Sequence, residues 1–163
     1  MTLDVTKYLE RIGYKTNPDQ SLGCLERLQS CHQLTVPFEN LDVFVGRNKL
    51  LNINVLYERI VLERRGGWCH ELNGLFSWLL RHIGFEVKIV SGAHYHGNKK
   101  AFNDVPFDHM ALIVNVDEIE YLADVGYGCT NQHFKPLKIS TNDIYEQVII
   151  FSLHLALNER LKY

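Results

Sequence analysis

The chain has 163 residues, a formal net charge of -2, and 46% hydrophobic against 22% charged residues. This fits a soluble globular protein of one large domain, or two small ones sharing a core, and the absence of a basic cluster argues against nucleic acid as a partner. No apolar run reaches membrane-spanning length, and the acidic, amphipathic start "MTLDVTKYLERIGY" lacks the features of a signal peptide. Cysteines 24, 31, 69 and 129 contain no C-x-x-C pair, so the expectation is reduced thiols, a cytoplasmic location and no four-cysteine zinc site.

In chain order, Leu3, Val5, Leu9 and Ile12 roughly follow one helical face, and Gly13 stands where that helix would end. Asp19 or Ser21 is placed to cap a second helix with Leu22, Leu25 and Leu28 inward. Pro37 stops this pattern, and "VPFENLDVF" reads as extended. A third helix is predicted from about Asn54 to Arg64, with Val55, Ile60 and Val61 partly buried, and Gly66-Gly67 breaks it. The clearest helix is "CHELNGLFSWLLRHIG", with Leu72, Leu75, Phe76, Leu79 and Ile83 at helical spacing and Gly84 as a stop. Beyond residue 84, "FEVKIVSGAHYH", "HMALIVNV" and "EYLADVGYG" read as strands, and the tail "EQVIIFSLHLALNERLKY" fits strand or helix. The expected class is α+β, with a helical unit over 1–84 and a strand unit over 85–163.

Cys69 falls in the first turn of the clearest helix, just after the Gly-Gly corner. Glycines there permit positive φ, a tight entry and close approach of a substrate. Free N–H groups and the dipole at a helix start favour an anion, so a thiol there ionises more easily into the nucleophilic thiolate. The competing reading is a small buried hydrophobe.

A reactive thiolate needs a base, and the base an orienting group. His32, His70, His82, His133 and His154 lie in helix or loop contexts without an obvious partner and read as solvated or structural. His109 opens a strand joined by a short turn to "EIEYLADV". A two-residue turn at Val116-Asp117 pairs Asn115 with Glu118 and His109 with Asp124. A turn shifted by one residue leaves the latter two as diagonal neighbours on one face. Asp124 is then placed to fix the tautomer of His109, unless it only caps the turn "DVGYG".

The motifs "VPFENLD" at 36–42, "RGGWCHELN" at 65–73, "DHMALIV" at 108–114 and "ADVGYG" at 123–128 resemble those of the arylamine N-acetyltransferases, in order and at similar spacing. The resemblance covers about residues 3 to 148, and "VIIFSLHLALNERLKY" does not look like family sequence. It implies a helical bundle, then an antiparallel β-barrel, in a cysteine-protease-like Cys-His-Asp arrangement. The family's C-terminal lid domain is expected to be absent. The implied reaction moves acetyl from acetyl-CoA, a co-substrate, to an arylamine or hydrazine through an acetyl-cysteine, with ping-pong kinetics and a place in xenobiotic metabolism. By match of position, the resemblance makes Cys69 the nucleophile, His109 the base and Asp124 the orienter. It places Phe38, Asp108 and Tyr127 at the acceptor and Val105, Pro106, Gly126 and Gly128 at the cofactor. Glu39 and Arg65, one in each of the first two motifs, are candidates for an ion pair.

The sequence also fits three other readings. His94 and His96 share a strand face, and with His109 would make a three-histidine metal site, but no carboxylate ligand is evident and no metal is expected. The same triad serves thiol hydrolases, so a form without a lid would act as a slow thioesterase. The last is a catalytically impaired short form.

Overall fold

A computed structural model describes residues 2–46, 51–92, 95–96, 101–102, 109–128 and 133–139, without the side chains of 95–96 and 101–102. Helix α1 spans Val5–Arg11, and its Asp4 cap accepts from the Thr6 amide at 2.8 Å. Gly13, at φ +70°, turns the chain away. Helix α2 spans Leu22–Thr35, with Ser21 as the N-cap; Asp19 supports it, accepting from the Ser21 amide. Leu25 and Leu28 are fully buried.

The segment after Pro37 is extended only as far as Phe38, which bridges in parallel to Gly67; Leu41–Phe44 then forms the short helix α3. The predicted third helix begins at Ile53 as α4 (Ile53–Tyr57), capped by Asn52, and continues as a π-helical turn over Glu58–Leu62. Its wide i→i−5 bonding carries the Glu63 amide to the Glu58 carbonyl at 2.8 Å. Within that turn, Arg59, Ile60 and Val61 are buried. Helix α5 spans Cys69–Ile83 and ends at Gly84 in the left-handed region, φ 110°.

Strands β1 (Glu86–Gly92), β4 (His109–Val116), β5 (Ile119–Ala123) and β6 (Leu137–Lys138) form an antiparallel sheet in the order β1-β4-β5-β6. Strands β2 (Tyr95–His96) and β3 (Ala101–Phe102) pair separately. The fold is thus helices packed on an antiparallel sheet.

The β4–β5 register pairs Val116 with Ile119 and Leu112 with Ala123, which is the shifted hairpin. The first-choice register needs Val116 at a central turn position. Two-residue hairpin turns of this hand require positive φ at both such positions, and a β-branched residue is strained there. Instead Asp117 and Glu118 take φ 51° and 64°, and Val116 stays in the sheet, buried.

One apolar core runs from the helices into the sheet: Tyr8, Leu28, Ile60, Leu72 and Phe76 belong to the same cluster as Leu112, Val114 and Ala123. His32 sits within it, with no exposure and rings of Tyr8 and Phe76 at 5.9 and 5.5 Å. Burial first, then the nearby Arg11 charge, lowers its pKa to about 3. The unfolded chain therefore takes up a proton near pH 6.5 that the folded chain refuses until about pH 3. Stability should fall as pH drops through that window. His32→Gln should reduce the slope by about 1.4 kcal/mol per pH unit, as measured by urea denaturation from pH 7 to 4.

Candidate active site

The chain enters α5 through a corner held by packing rather than by backbone freedom. Neither Gly66 nor Gly67 has positive φ; the left-handed residue there is Arg64, at φ 58°. A Cβ on Gly66 would lie 2.0 Å from the Pro37 carbonyl oxygen, so only glycine admits this approach. Glu39 receives the predicted ion pair, accepting from Arg65 Nε at 3.1 Å and Nη2 at 3.0 Å. A second pair beneath it is buried: Arg59 Nη1 and Nη2 donate to Glu71 Oε1 and Oε2 at 2.7 and 3.0 Å. Glu71 also accepts from the Trp68 amide at 3.2 Å and so caps the helix start.

On this platform Cys69 is the first residue of α5, 6% exposed. His109 opens β4, 2% exposed. Its Nε2 lies 2.5 Å from Asp124 Oδ2, just beyond the end of β5. The His109 side chain also hydrogen-bonds the Cys69 thiol, and with Nε2 engaged, Nδ1 is the nitrogen left for sulfur. The diagonal register therefore joins all three residues.

Asp124 is held on every side. Its Oδ1 accepts from Asn73 Nδ2 and from the Gly126 amide, both at 2.8 Å, and its carbonyl accepts from Gln33 Nε2 at 2.9 Å. Asn73, with no exposure, donates also to the Met110 carbonyl at 2.7 Å and accepts from the Val125 amide at 2.9 Å. It ties α5 to β4 and to the loop after β5. Neither Asn73 nor Gln33 was singled out from sequence. Asn73 had a signal, since it lies four residues beyond Cys69 among Leu72, Leu75 and Phe76.

His70 is a correction. Read as lacking a partner, it places Nδ1 3.2 Å from Cys69 Sγ. Burial pushes the Cys69 thiol up, but hydrogen bonds and charge from His109 and His70 outweigh it and bring the pKa down to about 6. Burial lowers His109, while Asp124 and then Cys69 raise it to about 10. Between those values the pair is a thiolate–imidazolium.

Of the other predicted residues, Phe38 is 44% exposed and packs on Gly128, where a Cβ would lie 2.7 Å from the ring. A Cβ on Gly126 would lie 2.7 Å from Cys69 Cα. Packing within the protein thus accounts for both glycines. Tyr127 meets the His109 ring edge-on at 5.6 Å. Val105, Pro106, Asp108 and His94 lie outside the described residues, as does the side chain of His96. Among the described residues no group of three or more His, Cys, Asp or Glu side chains is arranged to hold a metal ion, and no helix is long and apolar enough to cross a membrane.

A family model described as N-acetyltransferase matches residues 21–159, further into the tail than the motif resemblance reached. An arylamine N-acetyltransferase 1 from Bos taurus is 37% identical over 138 residues, covering 84% of this chain and 47% of the relative. The chain belongs to the arylamine N-acetyltransferase family. Among solved structures, an arylamine N-acetyltransferase from Salmonella typhimurium superposes with TM-score 0.78 at 33% identity, covering 87% of this chain and 51% of that one. One from Bacillus cereus, at TM-score 0.76 and 29% identity over 85% of this chain and 54% of that one, is described as having a Cys-His-Glu catalytic triad. The chain spans about half the length of these arylamine N-acetyltransferases.

Asp124→Asn should weaken the cationic form of His109 and so raise the pH midpoint of Cys69 alkylation by iodoacetamide above its value near 6. Peptide-level mass spectrometry at Cys69 reads the rate. Asn73→Ala should leave the Met110 carbonyl and the Val125 amide unpaired, costing roughly 1–3 kcal/mol for each group in urea denaturation.

Proposed function

We propose that this chain transfers an acetyl group from acetyl-CoA to the nitrogen of an arylamine or hydrazine, through an acetyl intermediate on Cys69. The observation that carries the reading is a buried thiol hydrogen-bonded to His109, whose other ring nitrogen meets Asp124 at 2.5 Å. A thiolate–imidazolium pair at the start of a helix is an activated nucleophile with its proton already placed.

In the first half-reaction the Cys69 thiolate attacks the acetyl carbon. The bond from that carbon to the CoA sulfur then breaks, and His109 gives its proton to the departing thiolate. One thioester replaces another, so the exchange is nearly balanced and needs little more than a good nucleophile. Amide N–H groups at the start of α5 are suited to stabilise the tetrahedral oxyanion. In the second half-reaction the amine nitrogen attacks the acetyl carbon, the C–S bond breaks, and the electron pair returns to Cys69. His109, now neutral, takes the amine proton, restoring the starting state. Two half-reactions at one sulfur give ping-pong kinetics.

Phe38 and Tyr127 are the described residues on the acceptor side, with Asp108 assigned there by position. The loop of Gly126 and Gly128, with Val105 and Pro106, is assigned to the donor. On the same reading the sheet is the described part of a β-barrel, with the helical unit up to residue 84.

Intact mass after incubation with acetyl-CoA, and separately with a reactive acetyl ester, tests the reading beside Cys69→Ala. The expected result is one acetyl adduct from acetyl-CoA, absent in the variant and discharged by an arylamine. Discharge by water alone would make the chain a thioesterase. Labelling by the ester alone would overturn the assignment of acetyl-CoA, and no adduct from either donor would overturn the mechanism.

A further inference from the structure

His70 is a second imidazole at the nucleophile. Its Nδ1 lies 3.2 Å from Cys69 Sγ, while His109 reaches the same sulfur from β4. The Trp68 ring lies against the His70 ring, centroids 4.4 Å apart at 34°, which restricts its swing. His70 also lines a cleft of about 230 Å³ between α5, α4 and β1, with Gly74, Trp78, Arg81, Ile53 and Ile89, and Cys69 is not part of that lining.

We propose that His70 is a further catalytic residue of the acetyl transfer inferred above: it donates Nδ1–H to the Cys69 thiolate and stabilises that anion as the nucleophile and as the leaving group. A thiolate only accepts hydrogen bonds, so a neutral His70 carries its proton on Nδ1 and its lone pair on Nε2. When amine attack breaks the C–S bond, the electron pair returns to a sulfur with two donors in place rather than one. His109 accepts the amine proton, and His70 exchanges none. The division of labour follows from the partners. His109 is oriented by Asp124, whereas His70 is held by the Trp68 ring. Among the described residues, the titratable or charged groups around His70 are Cys69 on its own helix, His109 from β4 at the shared sulfur, and Arg81 and His82 further along the cleft. No carboxylate lines the cleft among the described residues.

The test is the pH dependence of Cys69 alkylation by iodoacetamide in wild type, His70→Leu and His70→Gln. Because alkylation needs neither acetyl donor nor amine, it reads His70 even where no acetyl transfer is detected. His70→Leu should raise the midpoint by roughly 1 unit and slow alkylation at pH 6 about fivefold. His70→Gln, whose amide N–H still donates, should shift it less. Thermal unfolding checks that both variants fold. A second measurement uses the unaltered protein: alkylating Cys69 should move the nitrogen-15 resonance of His70 Nδ1. An unchanged midpoint in a folded His70→Leu, or an Nδ1 resonance blind to alkylation, would overturn the proposal.

Discussion

Asp124 is the group on which the site depends, because its carboxylate, its carbonyl and its near neighbours tie together elements far apart in sequence. One oxygen meets His109 on β4, the other accepts from Asn73 on α5, and the carbonyl accepts from Gln33 on α2. A half-exposed carboxylate would be free to turn to water. Here each acceptor position has a donor, so the group points one way and the imidazole is oriented with it. Asn73 does the complementary work. By bonding Asp124, Met110 and Val125 together, it sets the distance between the helix that carries Cys69 and the hairpin that carries His109.

Beneath the thiol, the first turn of α5 rests on a buried ion pair. Taking Arg59 and Glu71 out of water is costly, and bidentate geometry with further partners offsets that cost. Arg59 lies in the π-helical turn, buried, and reaches Glu71 from there. The same corner needs glycine for contact reasons: at Gly66 the backbone lies against Pro37, and at Gly126 the loop lies against Cys69. Rigid support of this kind suits a site whose reacting atoms must meet at hydrogen-bond distance.

On the proposed reading, two imidazoles at one sulfur divide a problem that a single base faces in acyl exchange. The group that moves the proton must change charge during the reaction. A donor that keeps its N–H on the sulfur can hold the anion throughout. His109, locked to Asp124, suits the first task, and His70, held against Trp68, suits the second.

Helices α1, α2 and α5, the Ser21 cap and the existence of the hairpin were legible in the sequence, because local spacing and turn chemistry decide them; the short α3, in a segment read as extended, was not. Ser21, Gly13 and Gly84 stand where caps and stops belong. That Cys69, His109 and Asp124 come together was legible as well, because a hairpin register constrains which residues share a face. Whether His109 and Asp124 were opposite or diagonal was not legible. The answer turned on whether Val116 or Glu118 took a left-handed conformation. Tertiary structure alone decided the rest. Adjacent residues on a helix diverge by roughly 100°, so nothing in the pattern told that His70 would fold back onto Cys69. Asn73 and Gln33 acquired their roles only when α5 and α2 were packed against the sheet, and Arg59 met Glu71 only when α5 packed beside the turn that carries it. The sequence by itself determined which groups could react; packing determined which of them meet, since contact distances of about 3 Å arise only where separate elements close on one another.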